Sequence, residues 1–259
     1  MTKQMLIYSN AVPINVEVHK NTSVRQNSGF DFAAGLAAAP LVAAEFASAA
    51  RDLTIVFSKA EDGMFPFAVL GVENGTNLFV KSDGSWDGRY VPAFLRRYPF
   101  VFARSPDGST MALCVDSDFD GLNEDGIGER LFDAEGTRTQ YLDGMLGFAT
   151  QYQTQFLRTM QFCKRLEELD LLEPITALVP DAGNTPKRLG GIYRIDRAKL
   201  KAIDSDTLAQ MFAGDELELC YLHLQSLTNL EGLREKVLAR GTTAETAESA
   251  LEEVAEPVN

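Results

Sequence analysis

From Thr139 to about Leu169 the apolar residues Leu142, Met145, Ala149, Tyr152, Phe156, Met160, Cys163 and Leu166 recur every three or four positions, with Gln151, Arg158, Lys164, Arg165 and Glu168 between them. That spacing predicts one long amphipathic helix, broken before Pro174. Elsewhere the apolar runs are short and separated by turn residues. Residues 5–18 read as extended, and Pro13 confines this segment to an edge or the start of a strand. Leu53-Thr54-Ile55-Val56-Phe57 is a β-branched and aromatic run, and a turn at Glu61-Asp62-Gly63 leads into Phe65–Val72, which predicts a hairpin. Leu78-Phe79-Val80 reads as a short strand between turns at Glu73-Asn74-Gly75 and Ser82-Asp83-Gly84. Phe100–Ala103 and Met111–Val115 read as two strands joined by Ser105-Pro106-Asp107-Gly108.

Further along, Ile175–Val179 and Arg188–Asp196 flank the polar loop Asp181–Pro186 and predict a second hairpin. Asp204 or Ser205 is placed to cap a helix through Phe212, and Leu217 to about Leu238 reads as a final helix. Asp31–Arg51 reads as two short helical pieces split at Pro40. Short strands with tight turns predict an α+β fold: a mainly antiparallel sheet with the long helix and a C-terminal helical segment. Residues 1–240 are expected to form a single domain. The tail, 241–259, is acidic without a basic residue, so it is expected to be disordered.

Composition narrows the class. A hydrophobic content of 45% with 24% charged residues fits a globular chain, so bulk disorder is not expected. The net charge is −13, with 24 basic against 37 acidic residues, and the pI is about 4.6. This balance argues against nucleic acid as a partner, since phosphate neutralisation demands a basic face. No apolar stretch approaches the roughly 18 residues of a transmembrane helix, which excludes a permease. The first ten residues carry no secretory signal pattern. Cys114, Cys163 and Cys220 are scattered, with no CxxC pair, and read as buried thiols in a reducing cytoplasm.

Candidate chemistry concentrates in a few places. Tyr90–Phe100 packs four aromatics, two prolines and the adjacent Arg96 and Arg97 into eleven residues. Arg96 and Arg97 with Tyr90, Phe94 and Tyr98 would suit an anion- or carboxylate-recognising patch. The same residues also fit a short helix with Phe94, Leu95 and Tyr98 turned inward. Asp116-Ser117-Asp118-Phe119-Asp120-Gly121 matches the first six positions of a calcium loop. Asn123 then occupies the usual apolar position and Ile127 the place of the closing glutamate, so the set Asp116, Asp118 and Asp120 is incomplete. Calcium is the one cofactor this run suggests. His223 shares a helical face with Leu219 and Leu227, which suits a hydrogen-bonded histidine at the edge of the core. His19, followed by a polar run, reads as a surface or turn residue. No GxSxG, GxxxxGK[ST] or GxGxxG sequence occurs, and Gly126-Ile127-Gly128 is only a fragment.

Six segments together resemble the SapC family of bacterial proteins: Leu41–Phe46, Tyr90–Phe100, Leu131–Asp133, Leu171–Pro174, Gly191–Asp196 and His223–Leu227. The resemblance extends over roughly residues 10–235. The resemblance implies an association with a paracrystalline surface layer in one lineage. In others it implies the company of flavin-dependent halogenase-like proteins, cupin-like proteins and TonB-dependent receptors. It brings no catalytic residues with it.

Three readings follow. The first is a cytoplasmic accessory protein that contacts a protein partner or a small anionic ligand through the 90–100 surface. The second is an enzyme or binding protein for peptides or amino acids, with a pocket near Tyr193, Arg194 and His223, and with Asp196 or Glu45 at hand. The third is a surface-layer component exported without a signal, with calcium at Asp116–Asp120.

Overall fold

The computed structural model describes residues 7–25, 29–60, 63–73, 75–104, 111–179 and 187–240. Its spine is the predicted long helix, α4 (Gln140–Glu168), roughly 44 Å long at 1.5 Å per residue. The Thr139 side chain caps its start by accepting the Leu142 N–H. Before α4 come β1 (Ala11–Pro13), α1 (Val16–His19), β2 (Ser23–Val24), β3 (Ala38–Pro40), α2 (Phe46–Ala49), β4 (Thr54–Ala60), β5 (Gly63–Val69), α3 (Ala93–Arg96), β6 (Phe100–Arg104) and β7 (Met111–Asp116). The two-residue strands β8 (Leu122–Asn123) and β9 (Glu129–Arg130) complete that half. After α4 come β10 (Leu172–Val179), β11 (Lys187–Ile195), α5 (Arg197–Ala202), α6 (Ser205–Ala213) and α7 (Glu216–Ser226). A 3₁₀ turn at Leu227–Asn229 leads into helical residues 230–240, α8.

All strand pairs are antiparallel, in sheets ordered β10-β11-β4-β5-β3, β1-β7-β6 and β8-β2-β9. The protein is therefore α+β, and both predicted hairpins form. Pro13 lies on β1, an edge strand, as its missing N–H requires. The main core packs the large sheet against α4, α2 and α7 around Phe46, Ile55, Phe57, Phe94, Phe162 and Leu166, all less than 5% exposed. A second core, with Val24, Phe100, Val115, Leu131 and Leu142, joins the two small sheets to the first turns of α4. Among the described residues no helix is long and apolar enough to cross a membrane.

Several expectations are corrected. Of the helical piece expected before Pro40 only a 3₁₀ turn at Asp31–Ala33 forms, and Ala38, Ala39 and Pro40 instead pair with Val69, Ala68 and Phe67 as an edge strand. Alanine's helix preference gives way because β5 otherwise exposes an unpaired edge there, and proline on an outer strand forfeits no ladder bond. Val16–His19 forms a helical turn rather than continuing the strand, because the Asn15 side chain accepts the Val18 N–H. This turn also buries His19. Leu78–Val80 is not a strand beyond one bridge between Val80 and Trp86. The last helix is interrupted at Leu227–Asn229. The turn residues Glu61 and Asp62, the loops 105–108 and 181–186, and the tail 241–259 lie outside the described residues.

Candidate functional site

The Tyr90–Phe100 segment joins the cores. Phe94 and Leu95 enter the main core, Phe100 the second, and Ala93 packs with Val42 and Tyr152. The Tyr98 ring stacks on Phe32 with centroids 4.1 Å apart. What holds the segment is Glu45, buried on the turn before α2. Its Oε1 accepts the Ala93 N–H and the Tyr90 hydroxyl, both at 2.7 Å, and its Oε2 accepts the Val42 N–H at 2.8 Å. Burial raises the Glu45 pKa, and the two amides, Tyr90 and Arg96 oppose the rise. Burial and the Glu45 charge also raise the Tyr90 phenol.

The two arginines have opposite fates. Arg97 is 3% exposed. Its guanidinium lies over the rings of Tyr152 at 4.7 Å, Phe94 at 4.8 Å and Tyr8 at 5.7 Å, a cage that suits a planar cation. Arg96 is exposed. Its guanidinium lies over Phe148 at 5.5 Å and Tyr90 at 5.6 Å. Nε donates to the Val91 carbonyl, and one terminal nitrogen donates to the Tyr90 hydroxyl. Among the described residues Arg96 forms no ion pair. Helix packing alone did not foretell this split, because two rings of the Arg97 cage come from Tyr8 and Tyr152, distant in sequence.

His223 is fully buried on α7. β4 and β11 pair at Ser58 with Ile192 and at Phe57 with Tyr193. Two residues further along, Ile55 and Ile195 would continue the ladder. Instead the Ile195 N–H donates to His223 Nε2 at 3.1 Å, and the Ile55 N–H donates to Ser226 Oγ at 3.0 Å. Ser226 in turn donates to the His223 carbonyl at 2.7 Å. α7 thus acts as a wedge that satisfies the amides of two separating strands. Burial pushes the His223 pKa down to about 3, with Arg194 adding to the drop and the Ile55 backbone opposing it. The ring is a neutral acceptor.

Tyr193, on β11, is half-buried against the main core. Arg194, also on β11, donates to Glu173 Oε1 at 2.7 Å. Asp196 caps α5: its Oδ1 accepts the N–H groups of Ala198 and Lys199. Glu173, Arg194, Asp196, Arg197, Tyr221 and Leu224 lie along one cleft of about 780 Å³. Three of the six segments that carry the family resemblance meet along it, through Glu173, through Arg194 to Asp196, and through Leu224, Gln225 and Leu227. Among the described residues Glu45 and His223 share no partner: one binds the Tyr90–Ala93 segment, the other the β11 backbone. Sequence reasoning missed Arg197, which belongs to no motif; its proximity to Tyr221, a polar neighbour of His223 in the chain, depends on how α5 turns after β11.

The Asp116–Gly121 run folds as a loop tied to the chain ahead of β1. Asp116 is buried, and its two oxygens accept the N–H groups of Ser9 and Asn10, each at 2.9 Å. Asp118 and Asp120 are exposed. Asn123 and Ile127, the two positions where the calcium pattern fails, bind each other through the Asn123 amide at 2.9 and 3.0 Å. Side chain to backbone bonding closes this loop. Gly128 has φ +94°, and a Cβ there would lie 2.2 Å from the Val24 carbonyl oxygen, so the glycine fragment serves the β2–β9 pairing. Among the described residues no group of three or more His, Cys, Asp or Glu side chains could hold a metal ion. The three cysteines are buried and unbridged. Burial raises all three thiols, Cys220 to about 12.

These features define an α+β protein with an arginine–aromatic clamp at its centre and a charged cleft beside its wedge helix. The chain belongs to the SapC family, whose model matches residues 14–233. No curated protein and no solved structure matches it.

Proposed function

We propose that this SapC-family protein is an accessory protein that binds a carboxylate-bearing surface of a protein partner through Arg96. The observation that carries this reading is the state of the Arg96 side chain. It is exposed, held over two rings and tethered by two hydrogen bonds, without an ion pair among the described residues. A guanidinium immobilised in this way meets a carboxylate with little further loss of side-chain freedom. The candidate acid–base groups instead support structure: Glu45 holds two backbone amides and a phenol, His223 one amide and Asp196 two. That distribution favours binding over proton transfer.

In this reading the partner is encoded in the same operon, the arrangement the family resemblance implies, and the complex forms in the cytoplasm. The test is co-purification with those operon-encoded proteins. Wild type is expected to retain the partner, while Arg96→Ala loses it with an unchanged melting temperature. Undiminished retention by Arg96→Ala would remove this surface from the account. Cell fractionation tests the compartment, and recovery of the protein outside the cytoplasm would overturn that part.

A further inference from the structure

The cleft between β11, α5 and α7 has an unusual charge balance. Of its charged lining residues, Glu173 and Arg194 neutralise each other in a 2.7 Å ion pair. One acid and one base remain, Asp196 and Arg197, and they are consecutive in the chain. Asp196 uses Oδ1 to cap α5, while its Oδ2 accepts no hydrogen bond among the described residues. The Arg197 guanidinium sits 6.0 Å from the Tyr221 ring and forms no ion pair among the described residues. Tyr221 is 42% exposed, and Leu224 and Leu227 add half-buried apolar surface. The volume of about 780 Å³ falls in the usual range for small-molecule sites.

We propose that this cleft binds a free α-amino acid with an apolar side chain. Such a ligand carries an ammonium and a carboxylate on one carbon. The carboxylate of Asp196 and the guanidinium of Arg197, on adjacent residues, supply the complementary pair. Tyr221, Leu224 and Leu227 receive the side chain. The site is separate from Arg96, so either assignment can fail alone.

Isothermal titration of the full chain with L-leucine and L-phenylalanine tests the proposal. Saturable binding is expected. It should weaken at least about tenfold for L-phenylalaninamide and for N-acetyl-L-phenylalanine, each lacking one charge. Asp196→Asn and Arg197→Gln should weaken it similarly, whereas Arg96→Ala should not. Asparagine still caps a helix, so Asp196→Asn retains the fold, and an unchanged melting temperature verifies this. Absence of saturable binding up to about 10 mM, or binding that survives both cleft variants, overturns the proposal. Tighter binding of L-leucyl-L-phenylalanine than of either free amino acid overturns the free-amino-acid assignment in favour of a peptide.

Discussion

The Ile195 N–H and the His223 Nε2 meet at 3.1 Å where β4 and β11 part. Only the neutral imidazole can accept this bond, and burial holds the His223 pKa at about 3. Between that value and the ordinary 6.5, the unfolded chain binds a proton that the folded chain does not. Stability due to His223 is therefore complete above about pH 6.5 and is lost as pH falls toward 3. Going from pH 7 to 4.5, urea unfolding should show wild type losing roughly 2 kcal/mol more than His223→Asn. Asparagine does not titrate.

Glu45 acts in the opposite sense. Its folded pKa is raised, so its contribution is complete below the unfolded value and is lost as pH rises through the folded one. Glu45→Gln should therefore make the protein more acid-sensitive than wild type, whereas His223→Asn makes it less so. Glu45→Ala leaves two amides and a phenol without their acceptor and should cost about 3 kcal/mol or more in denaturant titrations.

Arg96 and Arg97, adjacent in sequence, should separate in stability measurements. Arg97→Ala empties a cage of three rings and should cost about 3 kcal/mol. Arg97→Lys should also destabilise, because an ammonium lacks the planar face. Arg96→Ala should stay within about 1 kcal/mol of wild type.

Calcium should leave the melting temperature unchanged, and chelation likewise, because the Asp116 oxygens already hold the Ser9 and Asn10 amides. Asp116→Ala should destabilise by about 2 kcal/mol by releasing the segment ahead of β1. A calcium-dependent rise in melting temperature would contradict this.

What could be read from the residues was whatever repeats along the chain. The α4 periodicity, the apolar runs of both hairpins, the Asp204 cap and the edge placement of Pro13 depend on neighbours in sequence. β3 did not show itself, because alanine carries no strand signal and its pairing is decided by β5. α5 was missed because Asp196 caps a helix of only six residues. The Tyr90–Phe100 segment stood out by composition, yet its division into a caged Arg97 and an exposed Arg96 depends on Tyr8, Phe148 and Tyr152. His223 was placed near the core from its helical face. Its partner is a backbone amide 28 residues away, which no side-chain pattern records. The cleft was half visible, through Arg194 and Asp196.

Among the described residues the ladder between β4 and β11 consists of the pairs at Ile192 and Tyr193, extended at one end by the Ser58 hydroxyl donating to the Gly191 carbonyl and at the other by the side chains of one helix. Beyond Tyr193, the bonding that holds these two strands therefore depends on α7 staying seated. If α7 lifts, the β10–β11 hairpin loses the His223 bond and β4 the Ser226 bond in the same event. The hairpin and the terminal helices then behave as one cooperative unit, and the β3–β4–β5 layer under α4 as another. Amide exchange would register that seam as a step in protection between Phe57 and Tyr193, inside what looks like a continuous sheet.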